Sequence, residues 1–243
     1  MNCVLTPTRP ALRACVAFAA VCLALLLPAG AQAIAPTFGT ADQFGTDVQP
    51  DSVAVADLDA DGNPDLVTSN YLGSSVSVLM GNGDGSFQAR TDHTTGNGPA
   101  TLAVADVNAD GKPDVVTADI NDNALGVLLG RGDGSFDPVV GYGAGSTPFA
   151  VAIADVDGDG KPDLTVANYF GDSVSVLLGN GDGSFRTQVE YPTGPTPTAL
   201  TIADVDADGH PDLVTANIND DSVSVLLGRG DGTFAPRAGY PAG

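Results

Sequence analysis

From residue 149 the chain alternates large and small apolar side chains, Phe149-Ala150-Val151-Ala152-Ile153-Ala154. A period of two sends neighbouring side chains to opposite faces of a strand, so the bulky residues pack one side and the alanines admit close approach on the other. Leu164-Thr165-Val166-Ala167 follows as a half-buried run rich in β-branched residues. Ser173-Val174-Ser175-Val176-Leu177-Leu178 alternates cleanly, and Asn180-Gly181-Asp182-Gly183 closes it with a strong hairpin signal. With Phe136 to Tyr142 as a first strand, residues 136–184 predict four short antiparallel strands, the content of one propeller blade.

This pattern recurs every 49 residues. One column reads VSVLM (Val76 to Met80), LGVLL (Leu125 to Leu129), VSVLL (Val174 to Leu178) and VSVLL (Val223 to Leu227). A second reads GNGDGSF (Gly81 to Phe87), GRGDGSF (Gly130 to Phe136), GNGDGSF (Gly179 to Phe185) and GRGDGTF (Gly228 to Phe234). A column of aromatic residues or His keeps step at Phe44, His93, Tyr142, Tyr191 and Tyr240. A period of this length with β-type patterning marks a propeller, solenoid or array. The repeats run over 38–86, 87–135, 136–184 and 185–233, with an extra strand at 234–243. Four blades either close into a small ring or form an open partial propeller, which a homo-oligomer would complete. The pairs Val53 and Val55, Leu102 and Val104, Val151 and Ile153, and Leu200 and Ile202 are expected to point to one common core face.

Between the first two apolar runs of each repeat lies a nine-residue acidic loop: DLDADGNPD (57–65), DVNADGKPD (106–114), DVDGDGKPD (155–163) and DVDADGHPD (204–212). Oxygen-bearing side chains stand at loop positions 1, 3, 5 and 9, and Gly at position 6 permits a sharp turn, a pattern that wraps oxygens around a hard cation. An EF-hand would need a bidentate Glu at position 12, where this chain has Thr68, Thr117, Val166 and Thr215. The plainer reading is a set of Asx turns, but three or four carboxylates within nine residues repel one another without a cation.

The DxDxDGxxD loop between short strands, followed one hairpin later by GxGDGSF, resembles the FG-GAP/VCBS repeat of integrin α-subunit propellers and of many exported bacterial proteins. The resemblance covers residues 38–243 and implies one Ca²⁺ per repeat, about four in all. By resemblance the ligands are the side chains at positions 1, 3, 5 and 9 and the carbonyl at 7. In the first loop these are Asp57, Asp59, Asp61, Asn63 and Asp65, and in the second Asp106, Asn108, Asp110, Lys112 and Asp114. In the third they are Asp155, Asp157, Asp159, Lys161 and Asp163, and in the fourth Asp204, Asp206, Asp208, His210 and Asp212. The 49-residue period is short for this blade type, and integrin-like propellers have seven blades rather than four.

Charge sharpens this reading. The net charge is −21, and 29 of the 30 acidic residues are Asp, Glu190 being the exception. Fifteen of them fill the loops, so the acidity is architectural, and it argues against nucleic acid or an anionic membrane as partner. With 31 Gly, 17 Pro, no Trp and no helical period, the chain reads as all-β.

The leading 33 residues read as a secretory signal peptide: Arg9 and Arg13, an apolar stretch from Ala14 to Leu27, then Ala31-Gln32-Ala33 for cleavage. The stretch is too short and wrongly flanked for a membrane span. Cys3, Cys15 and Cys22 all lie within it, so a chain starting at Ile34 carries no cysteine and, with Arg9 and Arg13 removed, a charge of −23. The expected setting is extracytoplasmic, where bound metal substitutes for disulfides as a source of stability.

Nothing marks a catalyst. His93 and His210 have no Ser, Cys or second His at triad or zinc spacing. A catalytic carboxylate should break the repeat, and Glu190 is the single residue found to do so. Two copies of the second column spell Arg-Gly-Asp (131–133 and 229–231), but Asn replaces Arg in the other two, which favours a turn over an adhesive motif. The expected role is binding, adhesion or scaffolding with an extracellular protein or glycan. A lectin-type propeller is the alternative, and a polysaccharide hydrolase or lyase is the more remote one.

Overall fold

The computed structural model describes residues 42–243, so the expected leader (1–33) and the start of the first repeat at Phe38 lie outside the described residues. Among the described residues sixteen strands build four antiparallel sheets. The first blade holds β1 (Pro50–Ala56), β2 (Asp65–Asn70), β3 (Ser75–Leu79) and β4 (Thr91–Thr94). The second holds β5 (Pro99–Ala105), β6 (Asp114–Asp119), β7 (Ala124–Leu128) and β8 (Val140–Gly143). The third holds β9 (Pro148–Ala154), β10 (Asp163–Asn168), β11 (Ser173–Leu177) and β12 (Val189–Pro192). The fourth holds β13 (Pro197–Ala203), β14 (Asp212–Asn217), β15 (Ser222–Leu226) and β16 (Ala238–Pro241). Each sheet is a plain meander with consecutive strands paired. No helix among the described residues is long and apolar enough to cross a membrane.

The sheets run in a different frame from the expected repeats. The run Phe136 to Tyr142, expected as the first strand of its repeat, enters a sheet only from Val140, as part of β8, the fourth strand of the preceding blade. Phe136 itself forms an isolated bridge with Gly130. The terminal strand β16 is likewise no spare, because it completes the fourth blade by pairing with β15.

The expectation of one common core face is also corrected. Apolar residues form three cores, each lying between consecutive blades. Val67, Val76 and Val78 of blade one meet Leu102, Val115 and Leu128 of blade two. Val116, Leu125 and Val127 then meet Leu164, Leu177 and Val151, and Val174 and Val176 meet Leu213, Leu226 and Ile202. Period-two alternation gives each inner sheet two buried faces, one for each neighbour. Strand β1 packs on β5, β5 on β9 and β9 on β13, with no comparable packing of β13 against β1 among the described residues. The array is an open, propeller-like arc. Val53 and Val55, which meet no preceding blade among the described residues, are 62% and 64% exposed.

Candidate metal centres

Each acidic loop connects the first and second strands of a blade, and its own backbone amides shape it. Gly62, Gly111, Gly160 and Gly209 at position 6 donate to the position-1 carboxylates at 2.8–3.0 Å. The position-7 amides of Asn63, Lys112, Lys161 and His210 donate to the position-5 carboxylates at 2.7–3.0 Å. The position-6 glycines hold φ of 81° to 91°, a left-handed conformation that favours Gly. Position 4 is left-handed too, and Gly158 takes it without strain whereas Ala60, Ala109 and Ala207 sit at φ near 60°.

The position-9 aspartates have a role that the loop pattern alone did not reveal. Asp65, Asp114, Asp163 and Asp212 are almost fully buried. Each spends one oxygen on the amide at position 2 of its loop (Leu58, Val107, Val156 or Val205) at 2.8 Å. The other oxygen accepts from the first Gly of the neighbouring GxGDG turn (Gly81, Gly130, Gly179 or Gly228) at 2.7–2.8 Å. These carboxylates staple loop to hairpin. Burial pushes the Asp114 and Asp163 carboxyls above the usual range, opposed by those two backbone donors.

In three loops the carboxylates converge. Oxygens of Asp57, Asp59 and Asp61 lie within 4.8 Å of one another, as do those of Asp155, Asp157 and Asp163, and of Asp204, Asp206 and Asp212. Desolvation, then repulsion from neighbouring carboxylates, holds Asp59 and Asp206 above the usual range. Such groups are relieved by a cation, and an all-oxygen donor set of this kind suits a hard one. The second loop, with Asn108 at position 3, brings no such trio together. Its Lys112 ammonium lies 3.5 Å from Asp110, and Lys161 lies 2.8 Å from Asp159 in the third loop. Each lysine partly supplies the positive charge that a cation would bring.

The remaining candidates have structural partners. Asp84, Asp133, Asp182 and Asp231 each accept from the hydroxyl and the amide two residues on (Ser86, Ser135, Ser184, Thr233) and lie below the usual range for that reason. In the first Arg-Gly-Asp turn Arg131 is further engaged with Asp137 at 2.8 Å. His93, Tyr142 and Tyr191 stack edge-on against Phe136, Phe185 and Phe234 of the next blade, which explains the aromatic column. Glu190 accepts from Ser173 at 2.8 Å.

Asp119 also breaks the repeat, which the motifs alone did not reveal. At the end of the second strand three blades carry Asn70, Asn168 or Asn217, each donating to two serine hydroxyls at 2.9–3.0 Å. The second blade carries Asp119 there, with Ala124 and Gly126 in place of the serines. Asp119 is 1% exposed, its Oδ1 has no partner, and burial pushes its carboxyl up to about 6. Alignment of the four copies column by column contains this signal.

Comparison with known proteins supports the architecture. No curated protein sequence matches the chain. Among solved structures, a lectin from Agrocybe aegerita that recognises non-reducing terminal N-acetylglucosamine aligns at 23% identity and TM-score 0.53, covering 76% of this chain and 50% of the lectin. A putative 6-phosphogluconolactonase from Bacteroides uniformis aligns at 14% identity and TM-score 0.58, covering 79% and 57%. A streptogramin B lyase aligns at 15% identity and TM-score 0.55, covering 82% and 58%. The chain thus spans about half the length of these structures, and at such identities the likeness is one of fold. The FG-GAP-like repeat model matches residues 57–117, 106–166, 155–215 and 204–243 in overlapping copies. With its loops, its hairpins and most of its length accounted for by that repeat, the chain belongs to the FG-GAP-like repeat family.

Proposed function

We propose that this chain is an exported, calcium-stabilised binding module that recognises or scaffolds an extracellular protein or glycan and performs no chemistry of its own. The observation that carries this reading is the convergence of three carboxylates in each of three loops, on turns already shaped by their own amides. Calcium is the hard cation that extracellular oxygen-rich loops take, at dissociation constants of roughly 10⁻⁴ to 10⁻³ M. The arginine-flanked apolar stretch ahead of Ile34 supports export. A binding role rather than catalysis fits the surroundings of two carboxylates that break the repeat: Asp119 is out of reach of solvent, and Glu190 is tied to Ser173.

A glycan is the second reading for the ligand, supported by the lectin among the structures of like fold and by apolar grooves between consecutive blades. The calcium reading is tested by melting the chain from Ile34 onward in millimolar Ca²⁺ and in EDTA. At millimolar Ca²⁺, about one to ten times such a dissociation constant, each filled site adds roughly 0.4–1.4 kcal/mol to stability, so the sites together should raise the melting temperature clearly. Identical melting curves would overturn it.

A further inference from the structure

Three grooves of one design lie where the fourth strand of a blade meets the hairpin of the next. Each is walled by an aromatic-column residue and by the Phe of GxGDGSF, paired as His93–Phe136, Tyr142–Phe185 and Tyr191–Phe234. The repeat makes them comparable position by position, so the differences between them are informative. In the first groove Arg131 is neutralised by Asp137 at 2.8 Å. The second has Asn180 at the Arg131 position and Arg186 at the Asp137 position. In the third, Arg229 stands at the Arg131 position, Ala235 replaces Asp137, and Arg237 replaces Val139.

The third groove therefore carries two guanidinium groups and no carboxylate among its lining residues, in a chain of net charge −21. Neither arginine has a carboxylate within 4.0 Å among the described residues. Arg229 donates to the Phe234 carbonyl at 3.0 Å and to Thr233 Oγ1 at 3.5 Å, and Arg237 to Ser224 Oγ at 3.5 Å, which leaves most of their donors free. This is also the largest of the three grooves, about 470 Å³, with Tyr191, Pro192, Phe234 and Pro236 supplying an apolar wall. A cavity of that size suits a small ligand fixed by a few polar groups.

We propose that the groove between the third and fourth blades binds a sugar acid, its carboxylate held by Arg229 and Arg237 and its ring face laid against Tyr191 and Pro236. Guanidinium groups pair with carboxylates through parallel charged hydrogen bonds, and the apolar wall matches the C–H face of a pyranose. The proposal rests on the binding-module reading and names the class of ligand. A free uronic acid and the end of an acidic polysaccharide present the same chemistry, so both belong in the test.

Galacturonate, a galacturonate oligomer and neutral galactose should be titrated calorimetrically into the calcium-loaded chain from Ile34 onward. Galacturonate, or its oligomer alone if the groove takes chain ends, should bind, and galactose should not. R237Q should weaken binding at least tenfold. A235D, which installs the carboxylate that neutralises the first groove, should do the same, whereas R131Q should leave binding unchanged. An unshifted melting temperature for each variant establishes that the fold is retained. Absence of binding by both acids overturns the proposal, as does binding that survives A235D and R237Q, the pattern expected of sugar acid bridged by calcium at the loops. A chain that fails here yet still gains stability from Ca²⁺ keeps the calcium-module reading and loses only this groove.

Discussion

Asp119 shows what one substitution does to a repeated polar cluster. The asparagines at its position donate to serines, whereas Asp119 faces Ala124 and Gly126 with one oxygen unpartnered. Its carboxyl is pushed from 3.8 up to about 6, so the folded state holds the proton more tightly than the unfolded chain. That stabilisation is present below pH 3.8 and is lost as the pH rises through about 6. Two pKa units correspond to on the order of 3 kcal/mol. D119N/A124S, which restores one of the two asparagine–serine hydrogen bonds of the other blades, should raise the melting temperature at pH 7.5. It should also flatten the decline in stability between pH 4 and 6, measured by thermal melts across that range. The residue was legible only in part, because burial and the loss of hydroxyl partners, not residue type alone, make a carboxylate unusual in a chain with 29 Asp.

At the scale of elements, the acidic loop divides its carboxylates between two tasks. Asp159 lies at the loop tip, engaged with Lys161, while Asp163 is buried and accepts from Val156 and Gly179. D159A should lower calcium affinity at one loop and leave the melting temperature in EDTA nearly unchanged. D163A should lower it in EDTA as well, since two buried amides lose their acceptor at about 1–3 kcal/mol each. Paired melts with and without chelator separate the two effects. The strands themselves were legible: the alternating runs at Phe149 to Ala154 and Ser173 to Leu178 correspond to β9 and β11. The frame was not, because a periodic sequence has no intrinsic starting point. The fourth strands, TDHT, VGYG, VEYP and AGYP, also carry too little apolar alternation to declare which sheet they join.

For the whole molecule, stability is divided among three interfaces between neighbours. The same sequence position therefore has a different weight in different blades. Val53→Thr lies on the uncovered face of blade one and should change stability by no more than about 0.5 kcal/mol. Ile153→Thr places a hydroxyl against the core shared by blades two and three and should cost about 1–3 kcal/mol in denaturant titrations. The alternation identified both residues as strand positions facing a core, but only the sheet order shows that, among the described residues, no blade covers that side of blade one.

An open arc with cores only between neighbours has a mechanical consequence. In a closed ring the first and last blades would brace each other, and tension between the termini would meet the whole circle at once. Here β1 and β13 are not packed together, so force enters at a blade with a single neighbour. Pulled from its ends, the molecule should shed an end blade first and then yield stepwise. Each step would free one 49-residue period, roughly 160–175 Å of extended chain. A force–extension trace with evenly spaced drops would record the sequence repeat as a length.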